Sequence, residues 1–222
     1  MRLACNQPYF IPYAGYFRLF EADVFVYHDD AQYVKQSYIN RNRLTTHDGK
    51  EEWLTLPLKD MPTETKINEI QFADKAHVLW EKQCRRFKVF AGQATPFAQA
   101  VAFATEFVSP IKNIENLIDE ARSKISTFKC HDFHSSSFAD KIDPALKGQD
   151  RVLAICEHFK ASEYINAPGG KELYDPEAFK KRGIELKILK PYEGNTLSIL
   201  ERLSFENVDE VRKEIQANVR FY

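Results

Sequence analysis

No stretch of this chain is apolar for long enough to cross a membrane; about 20 residues are needed, and polar residues interrupt every candidate run. Cysteine is scarce. Cys5, Cys84, Cys130 and Cys156 lie far apart and form no CxxC, which argues against a zinc ribbon or a dithiol motif and fits reduced thiols in a cytoplasmic protein. A dominant charge is missing too. Lys and Arg number 31 against 32 Asp and Glu, so nothing draws the whole molecule toward nucleic acid or an anionic membrane. The opening residues, Met1 to Pro8, carry one positive charge and break at Pro8, too early for the apolar region of a signal peptide. GxGxxG, the Walker lysine loop and GxSxG are all absent, which removes the usual dinucleotide, P-loop and serine-hydrolase fingerprints. There is no internal repeat and no Pro/Ser-rich linker.

What is present is a chain of 222 residues, 44% of them apolar, enough for one sizeable core. Short apolar runs at 3–6 and 24–27 bracket a Pro-rich loop and a helical pattern, with Tyr16, Leu19 and Phe20 on one side. This is the layout of a strand-loop-helix-strand unit. The spacing predicts a helix from Tyr13 or Ala14 to Ala22, a polar segment over 29–42, and a strand over 52–58 that ends at Pro57. A further short strand is predicted over 66–72. The middle reads as helical. Trp80, Cys84, Phe87 and Ala91 share one face, Thr95-Pro96 opens a second helix that Ser109-Pro110 stops, and Asn113 caps a third. The last third returns to strands at 164–167 and 184–189, the second suited to a sheet edge, with helices between and after them. Strands separated by helices predict an α/β fold. Its mainly parallel, Rossmann-like sheet should have helices on both faces, in a single domain over 1–222 with residues 76–128 as a helical insertion or cap.

Polar residues crowd where strands should end, which is where open α/β sheets bind ligands. Gln7, Tyr9, Gly15 and Tyr16 belong to the first loop, and a long amide beside a Pro/Gly turn suits ligand binding, though turn geometry alone also selects Pro and Gly. His28, Asp29 and Asp30 fall at the carboxyl end of the second strand. They fit hydroxyl orientation, Mg²⁺ binding or general-base work; a solvated turn or a cap uses the same residues. Lys35, Asn40, Arg41, Asn42 and Arg43 form the densest cationic and amide cluster. Arg supplies a planar fork for phosphate or carboxylate, Tyr33 and Tyr38 offer stacking, and a solvated charge run remains the alternative. Asn166, Gly169, Gly170 and Tyr174 mark a second loop where backbone can approach a ligand closely. Cys130, His131 and His134 are too few for a zinc site without CxxC, so no metal and no cofactor is assigned. Cys5 reads as a small core residue and not as a nucleophile.

Taken together, Gln7 to Phe17, Ala22 to Val26, Tyr33 to Asn42 and Trp53 to Pro57 resemble the WbqC-like family. So do Trp80, Tyr164 to Tyr174, Gly183-Ile184 and Leu197 to Leu200. That bacterial family is associated with O-antigen and other surface-polysaccharide gene clusters. The chain departs from it at Tyr13, where many relatives carry Trp, and at Asn166, where Ser is common; both changes bear on substrate identity. The resemblance implies a transferase in surface-polysaccharide biosynthesis, with aminoacyl or acyl transfer to a nucleotide-linked amino sugar. The alternatives are a non-catalytic nucleotide-sugar or glycan-binding protein and a degenerate nucleotidylyltransferase. The first unit is also similar to nucleotidylyltransferases and class I aminoacyl-tRNA synthetases, but their HxGH would fall on Tyr13-Ala14-Gly15-Tyr16, where both histidines are tyrosines. The expected partner is a small-molecule or nucleotide-linked sugar, not nucleic acid.

Overall fold

The computed structural model describes residues 1–92, 98, 109–125, 130, 132–135, 142, 143 and 145–222. In chain order its elements are β1 (Arg2–Asn6), β2 (Val24–Tyr27), β3 (Arg41–Thr45), β4 (Glu51–Thr55), α1 (Ala76–Cys84), α2 (Pro110–Ile125), β5 (Asp132–Ser135), α3 (Gly148–His158), β6 (Glu163–Asn166), α4 (Pro176–Lys181), β7 (Glu185–Ile188), α5 (Ile199–Phe205) and α6 (Val208–Ala217). Five strands form one sheet in the order β5-β2-β1-β6-β7, and every neighbouring pair is parallel. Residues 1–30 and 160–190 therefore share a sheet, as the alternation of strands and helices implied. The chain winds outward from β1 through β2 to β5, then returns to the other side of β1 as β6 and β7. The reversal between β1 and β6 is a topological switch point.

Side-chain alternation divides the core into two layers. Ala4, Phe25 and Ile165 face one side, where Phe17, Phe20, Ile114, Ile118, Val211 and Ile215 cover them. Leu3, Cys5, Val24, Val26 and Tyr164 face the other, under Val152, Ile155 and Phe179. The first layer thus contains α2 and α6, the second α3 and α4. Local signals set several helix starts. Asn207 accepts from the Asp209 and Glu210 N–H groups, Asp175 from Glu177, and Ser198 from Leu200. Gly183, at φ +71°, follows α4 in the left-handed conformation that ends many helices.

Several local expectations are corrected. Ala14–Glu21 is a 3-10 helix, not an α-helix; Arg18 Nε bonds the Gly15 carbonyl at 3.0 Å, the acceptor an α-turn would offer to Leu19. The strand expected over 66–72 is a 3-10 turn at Ile67–Glu69. Ile67 and Ile70 are both buried, and a spacing of three matches one face of a 3-10 turn. The strand at Glu51–Thr55 pairs antiparallel with Arg41–Thr45 in a separate two-stranded sheet, so the end of the polar segment is a strand. α1 stops at Cys84, and a 3-10 turn at Lys88–Phe90 carries the pattern on. Pro110 begins α2 instead of only stopping its predecessor, and Asn113 lies inside it. β5 was not anticipated. Apart from Ala98, the helix expected after Thr95-Pro96 lies outside the described residues, as does His131. Among the described residues no helix is long and apolar enough to cross a membrane.

Candidate functional site

At the switch point, between the carboxyl ends of β1 and β6, a cavity of about 560 Å³ opens. Its walls include Asn6, Gln7, Tyr9, Gly15, Tyr16, Arg18, His28, Asn166, Gly169, Gly170 and Tyr174. Each strand ends on an asparagine. Asn6 Oδ1 accepts the Gln7 N–H at 2.8 Å and Asn166 Oδ1 accepts the Ala167 N–H at 2.7 Å, which satisfies backbone donors the sheet no longer uses. A Cβ on Gly170 would stand 2.6 Å from the Asn166 amide nitrogen, and one on Gly15 would stand 2.3 Å from the Tyr13 ring. Both glycines permit close approach at the cavity wall. The Tyr16 hydroxyl donates to the Gln7 carbonyl at 3.0 Å, and burial holds its phenol well above the usual range. It positions the loop and stays protonated near neutral pH.

His28 is the lining group whose ordinary titration falls nearest neutral pH. Burial lowers its pKa, against the opposing pull of Asp30, so the ring is neutral at pH 7. His28 Nε2 lies 3.4 Å from Asp30 Oδ1, and Asp30 Oδ2 pairs with Arg151 of α3. Arg151 is only 6% exposed. A histidine beside an anchored carboxylate has the parts of a base: with the ring proton on Nε2, toward Asp30, Nδ1 would be the nitrogen left to accept one. Asp29 points the other way. It is buried on the α2 side, where Glu115 is pushed up to about 7 by burial first and by Asp29 second. The two adjacent carboxylates therefore part to opposite faces of the sheet, as period-2 alternation continued past β2 requires, and they form no shared metal or base pair. Among the described residues no group of three or more His, Cys, Asp or Glu could hold a metal ion. Cys5 lines the same cavity, but burial raises its thiol far above the usual value, which leaves it without thiolate character.

The cationic cluster is placed elsewhere. Lys35 is exposed and pairs with Asp60. Arg41 lies over the Trp53 ring at 4.1 Å. Asn40 is buried, and its carbonyl accepts the Leu56 N–H. None of Asp29, Asp30, Lys35, Asn40 and Arg41 lines the switch-point cavity. Asn42 has a supporting task. Its amide donates to the Phe10 carbonyl at 3.2 Å and to the Ile11 carbonyl at 2.7 Å. Ile11 needs that support, because its φ is +38°, a strained value for a β-branched residue that costs about 1–3 kcal/mol. Ser198 Oγ donates to the same Ile11 carbonyl at 3.1 Å, and the Phe10 N–H bonds the Tyr38 carbonyl at 2.9 Å. The first loop is thus held from three sides.

Arg18 is the residue that sequence reasoning missed. It is 1% exposed and lines the cavity. Its guanidinium donates to the carbonyls of Gly15, Lys190 and Asn218 at 2.8–3.0 Å and lies over the Tyr192 ring at 5.2 Å. Burial lowers its pKa, but arginine remains charged. Its sequence signal was an arginine inside the most apolar-aromatic helical stretch of the chain, where a solvated charge has no place.

Fold and cavity together define a Rossmann-like α/β protein with its crevice at the topological switch point. The profile of the WbqC-like protein family matches residues 7–209, and the chain belongs to that family. It is also 28% identical over 197 residues to the uncharacterized protein Rv1507c of Mycobacterium tuberculosis (strain ATCC 25618 / H37Rv), covering 83% of this chain and 80% of that protein. No solved structure matches the chain.

Proposed function

We propose that this protein is a cytoplasmic transferase of bacterial surface-polysaccharide biosynthesis that binds a nucleotide-linked sugar at the switch point and transfers an aminoacyl or acyl group to its amino sugar. The supporting observation is a cavity of about 560 Å³ that combines the buried Arg18 cation with His28 on an anchored Asp30–Arg151 pair. That volume lies within the usual range for small-molecule sites. Arg18 supplies positive potential for the diphosphate in a low-dielectric setting. Gly169 and Gly170 let backbone approach it, and the Gln7 and Asn166 amides suit sugar hydroxyls. His28, neutral at pH 7, takes the proton that the amino nitrogen loses as it attacks the acyl carbonyl. The new N–C bond forms, the bond from the carbonyl to the donor's leaving group breaks, and the leaving group departs with the electron pair. A nucleotidylyltransferase reading is disfavoured, because Tyr16 is buried and held protonated where a catalytic histidine would stand.

Thermal shift against nucleoside diphosphates, nucleotide sugars and pyrophosphate tests this reading. At 100 times Kd, binding adds about 2.7 kcal/mol, a rise of roughly 5–10 °C in Tm for a chain of this size. His28→Gln should keep that binding and lower turnover by about 10²-fold or more. No stabilisation by any of these ligands removes the proposal. Binding without turnover on any acyl or aminoacyl donor turns it into a nucleotide-sugar-binding protein.

A further inference from the structure

A second cavity, of about 470 Å³, adjoins the first. Tyr9 and Tyr13 line both, so the two share a wall. On its far side stand Tyr38, Arg43 and Glu51 from the segment around β3 and β4, and Leu197 from the approach to α5. The chain builds this chamber deliberately: Tyr13 bridges Ser198, and the Ile199 N–H bonds the Pro12 carbonyl at 2.8 Å, fixing the 196–199 segment against the first loop.

The geometry points to this outer cavity as the binding site for a further saccharide ring, one without phosphate and distinct from the amino sugar that meets His28 in the switch-point cavity. The assignment rests on the transferase reading above and names what lies beside the nucleotide-linked sugar. Three features carry it. The lining charges, Arg43 and Glu51, are 3.8 Å apart and cancel, so an anion gains nothing here, in contrast to the neighbouring cavity with Arg18. The tyrosines offer apolar ring faces together with hydroxyls, which match the C–H faces and equatorial hydroxyls of a pyranose. Their rings are inclined: Tyr9 and Tyr38 meet at 50° with centroids 6.2 Å apart. Inclined rings make no parallel slot for a flat nucleobase. A chain of rings then continues outward, from Tyr38 to Trp53 at 5.8 Å, and Trp53 carries Arg43 over its face at 4.9 Å.

That chain supplies the assay. The protein has two tryptophans, and Trp80 is fully buried against Phe10, so a ligand touching Tyr38 and Arg43 should be reported by Trp53. Titration of the full chain with N-acetylglucosamine and a panel of other free monosaccharides, followed by tryptophan fluorescence, should give a saturable change that Trp53→Phe abolishes. Tyr38→Ala removes a ring that is 51% exposed, so folding survives, and it should weaken the saccharide roughly 3- to 10-fold while leaving uridine diphosphate affinity unchanged. Tyr9→Ala, in the shared wall, should weaken both. The inference is overturned if no saccharide perturbs Trp53, if Tyr38→Ala leaves saccharide affinity unchanged, or if a free nucleoside gives the Trp53 response instead. Failure of nucleotides to bind, with saccharide binding intact, would count against the transferase reading and spare this site.

Discussion

The first loop is mostly aromatic and apolar, the segment that follows β2 is dense in amides and charges, and the fold uses them differently. Residues 7–16 place Gln7, Tyr9, Gly15 and Tyr16 in the cavity wall. Residues 29–42 place Asn42 on the Phe10 and Ile11 carbonyls, Arg41 on Trp53 and Lys35 on Asp60 at the surface. The first region faces the switch-point cavity; the second keeps it in shape and reaches only the outer cavity, through Tyr38 and Asn42. Density of amides and cations near a strand end therefore marks a site without saying which groups touch the ligand. Strain is the reason for the division. A loop that holds Ile11 at positive φ requires neighbours whose own hydrogen-bonding capacity is spent on it.

Arg18→Met should have the largest effect, because it strands the Lys190 carbonyl and takes a charge-assisted bond from the carbonyls of Gly15 and Asn218, the latter keeping the Arg220 N–H. An unpartnered buried acceptor costs on the order of 1–3 kcal/mol, and each lost charge-assisted bond adds to that, so a loss of about 4 kcal/mol in a urea melt is expected. Pyrophosphate binding should vanish in whatever fraction stays folded. Asn42→Ala comes next. It lines the outer cavity and not the switch-point one, and it should cost about 2 kcal/mol through the stranded Phe10 carbonyl and the loss of one of the Ile11 carbonyl's two donors. If it changes nucleotide affinity without changing stability, the supporting role assigned to the polar segment is wrong.

A pH dependence sharpens the same contrast. The folded pKa of His28 lies below its unfolded value, so the unfolded chain binds more protons. The stabilisation is fully present above pH 6.5 and is lost as pH falls through the lowered folded value. His28→Gln should flatten that part of the stability profile, measured by denaturant midpoints between pH 4 and 8. An unchanged profile would place the ring in solvent and remove it as the base. Lys35→Ala should do least. The pair with Asp60 is solvent-exposed, and exposed pairs contribute little; calorimetry should find no change in ligand affinity. A clear loss would return Lys35 to the site.

The parallel sheet was legible because β1, β2 and β6 are short apolar runs bounded by polar residues, and because alternation marked β7 as an edge. Gln7, His28 and the Gly169-Gly170 loop could be placed in one crevice by the general rule for strand ends. Arg18 could not. Its meaning depends on the carbonyls of Lys190 and Asn218, far along the chain, and no local pattern announces them. The partition of Asp29 and Asp30 was hidden for a similar reason. Adjacent residues share a composition, and only the register of β2 decides that one meets Glu115 and the other Arg151. The β3–β4 hairpin was half visible: His47-Asp48-Gly49 signalled its turn, but a strand reading Arg-Asn-Arg-Leu-Thr lacks the apolar content by which strands are usually recognised.

The placement of β1 at the centre of the sheet has a consequence for biosynthesis. β1 pairs on one side with β2, which emerges soon after it, and on the other with β6, whose residues begin at Glu163. Until the ribosome has extruded β6, one edge of β1 has no partner, and Leu3 to Cys5 present an apolar template to any other nascent strand. At about 5–20 residues per second, that interval lasts on the order of ten seconds. Chaperone capture during translation should therefore be strongest on ribosome-arrested chains that end before residue 163, and should fall sharply once β6 has cleared the exit tunnel.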